Sequence, residues 1–232
     1  PYLSGAQVLR YFARYTGASK QAQDETLERV GLAAVRDKKL AAYSKGMRQK
    51  LGLAQAILGQ PDLIVLDEPT NGLDPPGIID FYQILQERAE QGVAIVLSSH
   101  LLAEIEGRTT HVAFLRDGQI AASGSCAHLI QQAGLQSRVC LRGARRQDLL
   151  CGLLDGSGWQ VQTQQDGVDV YLDRNEVSVL LASLDLSLLG HLDVQVHHPT
   201  LDDLYMHTLA ANRSAVTPGT NGRAKSVRVE AG

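Results

Sequence analysis

Two adjacent carboxylates, Asp67 and Glu68, directly follow the apolar run Leu63–Leu66. Four apolar residues predict a short buried strand, and open α/β sheets bind their ligands at the carboxyl ends of such strands. Because successive strand side chains point to opposite sides, we expect the two acids to have different roles. One carboxylate can hold Mg²⁺, directly or through water, while the other faces an attacking water molecule. A simpler alternative is that both acids only cap the strand before Pro69.

A histidine follows a second apolar run. His100 comes after residues 93–97, a predicted strand, and after the pair Ser98-Ser99. A lone histidine is more often structural, but one at a strand end beside an acid pair is well placed to contact a phosphate group. His100 is therefore a candidate for contact with a bound phosphate group beside the acid pair.

The segment YSKGMRQ, residues 43–49, places a hydroxyl and a glycine at the start of a predicted helix. Ser44 can donate to a phosphate oxygen, Gly46 allows close backbone approach, and the free N–H groups and dipole of the helix favour an anion. Serine before a helix is also an ordinary N-cap, and this alternative stays open.

The segment NGLD, residues 71–74, lies between the first predicted strand and the next predicted helix. Asn71-Gly72 is typical of a turn, and Asp74 before Pro75 is typical of a helix start. Spacing alone does not separate this structural interpretation from a functional one.

In this order, YSKGMRQ, LIVLDEP, NGLD and SSH resemble the C-terminal half of an ABC-transporter ATPase. The resemblance implies that Asp67 is the Walker B aspartate and Mg²⁺ ligand. It also implies that Glu68 is the catalytic glutamate and that His100 is the switch histidine that contacts the γ-phosphate.

The same resemblance assigns further residues and partners. It implies that Ser44, Gly46 and Gln49 belong to the signature that binds ATP held by an opposite subunit, and that Asp74 is the D-loop aspartate between the two nucleotide sites. The implied cofactors are ATP and Mg²⁺. The implied partners are a second ATPase subunit in a homodimer and an integral membrane permease, which would place the protein in the cytoplasm, peripheral on the inner membrane.

One expected motif is missing from the sequence. The phosphate loop of such an ATPase, G-x-x-x-x-G-K-S/T, requires a Gly-Lys pair, and the chain contains none. Pro1 stands where methionine is expected, and nothing before Leu3 resembles a targeting segment. We therefore expect an ATPase that lacks its N-terminal part and is inactive as written. A nucleotide-inactive regulatory or interaction module is the alternative.

Periodicity predicts an α/β fold of four parts. Residues 1–60 form a helical subdomain, in which Leu9, Phe12 and Ala13 share one helix face, and residues 61–124 form a parallel-sheet core buried on both faces. Residues 137–210 read as a small ferredoxin-like βαββαβ domain whose middle strands turn at Asp166-Gly167. The polar residues 211–232 are expected to be disordered.

Composition narrows the function classes. A net charge of -3 gives no electrostatic argument for nucleic acid, and no apolar run reaches the ~20 residues that span a bilayer. A DNA-associated ATPase of the chromosome-maintenance type needs a long coiled coil, and no heptads occur. Cys126, Cys140 and Cys151 are interpreted as buried thiols in a reducing compartment. His197 and His198 are interpreted as structural.

Two terminal segments refine the resemblance. The closing HPTLDDLYMHTL resembles the closing segment of the drug-exporter and copper-maturation branch of the family, and the opening PYLSGAQVLRYFARYTGA adds to the finer likeness within it. Within that branch the chain looks most like the ATPase of the transporter that matures the copper enzyme nitrous oxide reductase. A multidrug or other exporter is the alternative.

Overall fold

The computed structural model describes residues 2–143, 147–184 and 192–214. The chain divides into two compact units, Pro1–Arg108 and Thr109–Gly232. The four-part organisation expected from the sequence stays a prediction. Most of the predicted disordered tail lies outside the described residues, although its first residues continue the last helix to Ser214.

The first unit consists of helices around one pair of strands. Its elements are α1 (Gly5–Thr16), α2 (Lys20–Arg29), α3 (Lys45–Ile57), β1 (Leu63–Leu66), α4 (Pro75–Glu90), β2 (Ala94–Leu97) and α5 (Leu102–Ile105), with short 3-10 turns at Ala33–Val35 and Leu40–Ala42.

Local signals set the ends of the first helix. Ser4 and Gln7 form a capping box at its start, and Gly17 ends it in the left-handed region with φ of 70°. Leu9 and Ala13 are buried and Phe12 is half-buried, which confirms the predicted apolar face.

The two strands of the first unit are parallel, as predicted, and Leu66 pairs with Leu97 at their carboxyl ends. Ile64 is buried at 2% exposure, and α3 and α4 pack against these strands. The expectation of burial on both faces is wrong: Leu63, Val65 and Val96 are 53%, 67% and 56% exposed. Within the described ranges, no helix covers the face that these three side chains share.

The second unit combines a hairpin with a four-stranded sheet. Its elements are β3 (His111–Arg116), β4 (Gln119–Ser125), α6 (Cys126–Gln132), β5 (Ser137–Arg142), α7 (Gln147–Leu154), β6 (Gln160–Gln164), β7 (Gly167–Leu172), α8 (Val177–Ser183), β8 (Asp193–His197) and α9 (Leu201–Ser214).

The larger sheet has the strand order β6-β7-β5-β8, with every neighbouring pair antiparallel. Counted along the βαββαβ segment, this is the order second-third-first-fourth, as expected for a ferredoxin-like unit. The predicted turn at Asp166-Gly167 is one residue out of register, because Gly167 already pairs with Gln164. A Cβ atom on Gly167 would lie 1.9 Å from the carbonyl oxygen of Leu141, so close packing of β5 and β7 requires glycine there.

The last helix belongs with the hairpin of β3 and β4. The turn residues Asp117 and Gly118 have φ of 51° and 76°, the left-handed pair that tight two-residue hairpins use. The ring of Tyr205 on α9 lies 5.5 Å from that of Phe114 on β3, and Arg116 donates to the carbonyl oxygen of Leu209. The predicted accessory segment thus ends in a helix that packs outside the ferredoxin-like sheet.

The interpretation of all three cysteines as buried is wrong for two of them. Cys140 is buried, whereas Cys126 and Cys151 are half-buried, and all three are free thiols. In the part of the chain that the structure describes, we find no helix with the length and apolar character needed to cross a bilayer.

Candidate functional site

The carboxyl ends of β1 and β2 meet at the predicted acid pair. The backbone N–H of Ser98 donates to the carbonyl oxygen of Leu66, which extends the ladder by one residue. The Ser98 hydroxyl donates to Oδ1 of Asp67 at 2.6 Å and accepts from the backbone N–H of Glu68 at 2.9 Å. One serine therefore fixes both acidic residues to the end of the neighbouring strand.

Glu68 and His100 form the central contact of the site. The His100 Nδ1 atom lies 2.6 Å from Oε2 of Glu68. Glu68 is not glycine yet has φ of 44°, in the left-handed region. Such a conformation costs about 1–3 kcal/mol and persists only where surrounding contacts hold it. Strained non-glycine residues cluster at functional sites, and this one carries the predicted catalytic carboxylate.

The Asp67 and Glu68 side chains do not follow the strand alternation that the sequence predicted for them. Strand alternation ends at Leu66, and the left-handed turn at Glu68 redirects its side chain. Asp67 and Glu68 thus both hydrogen-bond the segment 98–100, one through Ser98 and the other through His100.

The free oxygen of Asp67 fits a hard divalent cation. Asp67 is exposed, and its Oδ2 atom has no hydrogen-bond partner among the described residues, while Oδ1 is held by Ser98. An oriented carboxylate with one open oxygen is the kind of ligand that Mg²⁺ takes when water and phosphate supply the rest of its shell. Asp67 is thus the residue that could hold the metal, with Ser98 as its support.

The predicted signature segment packs on the predicted D-loop. The Ser44 hydroxyl accepts from the N–H of Met47 at 3.1 Å and so caps α3. A Cβ atom on Gly46 would lie 2.9 Å from the carbonyl oxygen of Gly72. The Gln49 amide donates to the carbonyl oxygen of Asn71 at 3.3 Å. Gly46 and Gln49 therefore join the start of α3 to the loop at residues 71–72.

Asp74 occupies the start of α4. Its Oδ1 accepts from the N–H of Gly77 at 3.1 Å, and Pro75 takes the first helical position. This is the capping role that the sequence left open as an alternative. The D-loop role of Asp74 between two nucleotide sites stays a prediction.

The predicted site residues thus fall into two groups. Asp67, Glu68 and His100 are joined at the strand ends, and Gly46 and Gln49 contact the loop that follows. A turn links the groups, because the N–H of Asn71 donates to the carbonyl oxygen of Glu68 at 3.3 Å. No separate role was assigned to Ser98 from the sequence. The signal available for its role was the position of its hydroxyl at the end of the second strand.

His198 has a structural partner of its own. His198 Nδ1 lies 3.0 Å from the hydroxyl of Ser137, which is 1% exposed, so it satisfies a buried polar group. Of the described residues, no three His, Cys, Asp or Glu side chains are grouped as metal ligands. A metal at Asp67 would therefore need oxygen ligands from water or from a bound phosphate.

Comparison with known proteins points to one family. The family described as ABC transporter matches residues 4–71. The chain is 34% identical over 215 residues, 92% of its length and 68% of the relative's, to YdbJ, an uncharacterized ABC transporter ATP-binding protein of Bacillus subtilis. It is 30% identical over 218 residues, 91% of its length and 69% of the relative's, to the daunorubicin resistance ATP-binding protein DrrA3 of Streptomyces coeruleorubidus.

A solved structure extends the similarity to three dimensions. The ATP-binding subunit of an ABC transporter superposes with a TM-score of 0.54 at 31% identity, covering 57% of each chain. This match confirms the fold class predicted from the sequence.

Proposed function

The chain belongs to the family of ABC transporter ATP-binding subunits, and from this membership we propose that Glu68 and His100 hydrolyse ATP to drive an exporter. The contact of 2.6 Å between the Glu68 carboxylate and the His100 ring is the observation that supports the proposal most directly. The proposal gives these neighbouring side chains complementary roles, in which the carboxylate polarises water and the ring donates to a γ-phosphate oxygen.

In this proposal each side chain has one role. Mg²⁺, when bound with ATP, neutralises charge on the phosphate oxygens. Asp67 would hold that ion through its open oxygen, while Ser98 keeps the carboxylate oriented. Glu68 would orient the attacking water and accept its proton. The Nε2 atom of His100, which has no hydrogen-bond partner among the described residues, would donate to a phosphate oxygen from the protonated ring while Nδ1 donates to Glu68.

In this proposal a second subunit completes the nucleotide-binding site. Ser44 and Gly46 at the start of α3 offer a hydroxyl and free N–H groups, and Gln49 holds this helix against the D-loop. We propose that this helix start faces ATP on the other subunit of a homodimer. The permease partner and the location on the inner face of the membrane follow from the family and belong to the same proposal.

The cargo class follows from the relatives. The similarity to a daunorubicin resistance protein spans most of the chain and favours an exporter of drug-like compounds. Copper-enzyme maturation, which the terminal segments suggested, stays a prediction from resemblance, because none of the relatives reported above carries that role in its name.

Glutamine at position 68 tests the proposal in the natural gene product. The amide keeps the shape of the side chain but cannot accept the proton, so Glu68→Gln should lower kcat by about 10²- to 10⁴-fold with ATP binding retained. Trapped ATP should then hold two subunits together, as measured by size-exclusion chromatography with light scattering. Glu90→Gln, an exposed acid at the end of α4, is the matched control and should be unchanged. Normal turnover by Glu68→Gln would remove Glu68 from the site.

A second candidate, the nucleotide-inactive module, is favoured by one observation, the missing Gly-Lys pair. For the polypeptide of this sequence we expect weak ATP binding and no hydrolysis, because loop amides and a lysine normally enclose the phosphates. Micromolar affinity by calorimetry would contradict that expectation. An inert natural gene product, free of nucleotide in the presence of Mg²⁺ and ATP, would favour the module over the ATPase.

A further inference from the structure

A second hydrogen bond connects the two strand-end segments beyond the Glu68–His100 contact. Thr70 lies two residues after Glu68, and Glu104 lies four residues after His100, within α5. The Thr70 hydroxyl donates to Oε2 of Glu104 at 2.8 Å. The bond therefore links the segment that carries one catalytic residue to the helix that follows the other.

The two contacts differ in burial. The side chains of His100 and Glu68 are 59% and 34% exposed, and ion pairs at that exposure contribute little to holding a geometry. Thr70 is only 6% exposed, and Glu104 is half-buried. A hydrogen bond to a carboxylate is stronger where the groups are shielded from water than where they are exposed. The buried bond is thus the better anchor for the exposed one.

The strained backbone at Glu68 requires such an anchor. Its left-handed turn is followed by Pro69 and Thr70, both buried, and the carbonyl oxygen of Thr70 accepts from the N–H of Leu73 at 3.0 Å. Strain persists where neighbouring groups over-determine the conformation. Thr70 is held on its backbone by Leu73 and on its side chain by Glu104.

Tyr82 of helix α4 lies near the Glu104 side of this bond. Tyr82 is 6% exposed, and its hydroxyl has no hydrogen-bond partner within the described residues. The Arg108 guanidinium lies 4.7 Å from the centre of the Tyr82 ring. Burial raises the pKa of the Tyr82 hydroxyl, the nearby charge of Glu104 raises it further, and Arg108 opposes both. Tyr82 of α4 therefore lies close to both Arg108 and Glu104.

We propose that Thr70 and Glu104 are positioning residues, whose buried hydrogen bond holds the Glu68 carboxylate against His100. Neither residue touches the reacting atoms. The proposal rests on the proposed function, since it assigns a use to the geometry of that same site.

The proposal predicts that the ¹⁵N chemical shifts of the His100 ring change only in variants that remove the bond between Thr70 and Glu104. Thr70→Val and Glu104→Ala both remove the bond, so the ring nitrogens of His100 should show the chemical shifts that they show in Glu68→Gln. Thr70→Ser and Glu104→Gln keep a donor and an acceptor, so they should retain the wild-type shifts. Histidine-selective ¹⁵N labelling of the chain, with His100→Ala for assignment, measures this without ATP.

Thr26→Val provides a matched control. It also removes a buried threonine hydroxyl, which donates to the carbonyl oxygen of Ala22 at 2.7 Å within α2, and it should leave His100 unchanged. Wild-type His100 shifts in a folded Thr70→Val protein would overturn the proposal. Equal shifts in Thr26→Val would also overturn it, because they would show a general effect of destabilisation.

Hydrolysis by the natural gene product separates this proposal from the proposed function. Thr70→Val should lower kcat by about 10- to 100-fold with little change in KM for ATP. Thr70→Ser, which keeps the hydroxyl donor, should retain the wild-type kcat. If Glu68→Gln abolishes hydrolysis but Thr70→Val changes neither kcat nor His100, the function stands and the positioning role fails. If His100 responds but the unmodified natural gene product hydrolyses no ATP, the positioning role stands and the function fails.

Discussion

His100 Nδ1 lies 2.6 Å from Oε2 of Glu68, although the two residues follow different strands and stand 32 positions apart. The parallel register that pairs Leu66 with Leu97 brings their segments together. The hydroxyl of Ser98 then fixes the backbone of Glu68 to the second strand. The contact is thus a consequence of how the two strands end.

The close approach of Gly46 to Gly72 predicts an intolerant position. A Cβ atom at residue 46 would meet the carbonyl oxygen of Gly72 at 2.9 Å, so Gly46→Ala must push the start of α3 away from the D-loop. We expect a loss of about 1–3 kcal/mol in the free energy of unfolding of the first unit. Hydrogen exchange of the α3 amides measures it.

The same helix offers the control for that substitution. Gly52 has no atom within 4 Å of an added Cβ, so Gly52→Ala should stabilise α3 by about 0.5–1 kcal/mol. If the two alanine variants exchanged alike, the packing of Gly46 against Gly72 would have no energetic importance.

Acid should weaken the second unit through one buried ion pair. Asp169 is 4% exposed and lies 2.5 Å from Nη2 of Arg142. Burial alone would raise the pKa of Asp169, but hydrogen bonds from Arg142 and Cys140 outweigh it and lower the pKa below its usual range. A lowered carboxyl pKa gives stability that is present above the unfolded pKa of about 3.9 and lost as pH falls through the folded pKa.

Asp169→Asn should therefore cost about 3 kcal/mol at pH 7 and progressively less below about pH 4. Trp159, the single tryptophan of the chain, packs against the core of this unit and reports its unfolding in urea by fluorescence. Asp155→Asn, at an exposed acid, should keep the wild-type pH dependence. A wild-type acid profile in Asp169→Asn would rule out this pair as the cause.

Much of the site was predictable from local pattern. The apolar runs before Asp67 and before Ser98 predicted two strands, and a parallel pair places their carboxyl ends together. The role of Thr70 was not predictable, because it depends on Glu104, 34 positions away. For Ser98 the sequence offered only a hydroxyl at a strand end, and its partner Glu68 lies 30 positions away. The left-handed turn at Glu68 was also missed, since no sequence rule places a glutamate there.

The fold shows the same limit. The βαββαβ order of the second unit followed from periodicity, and its antiparallel sheet confirms it. The packing of Tyr205 on Phe114 joins residues 91 positions apart and left no local signal. The burial expected for both faces of β1 and β2 failed because a strand's own residues do not show what covers them.

The packing of Tyr205 on Phe114 separates the last helix, which begins at Leu201, from the ferredoxin-like segment before it. We infer that residues 137–199 serve contact or regulation, or simply stabilise the dimer. Their replacement by a Gly/Ser linker in the natural gene product should leave basal hydrolysis intact and impair assembly or coupling to the permease. Truncation after Gly134 should do more damage, because it also removes the helix that carries Tyr205. A folded linker variant without hydrolysis would instead place this segment at the nucleotide site.

A double-mutant cycle on Glu68 and His100 tests most directly whether they act as one unit on ATP. The measurement is kcat for Glu68→Gln, His100→Ala and the double variant of the natural gene product, with Glu90→Gln as control. Residues that act as a unit are strongly non-additive, so each single change should lower kcat by about 10²- to 10⁴-fold and the double variant should be little worse than the worse single one. Effects that multiply, as independent residues give, would contradict the account.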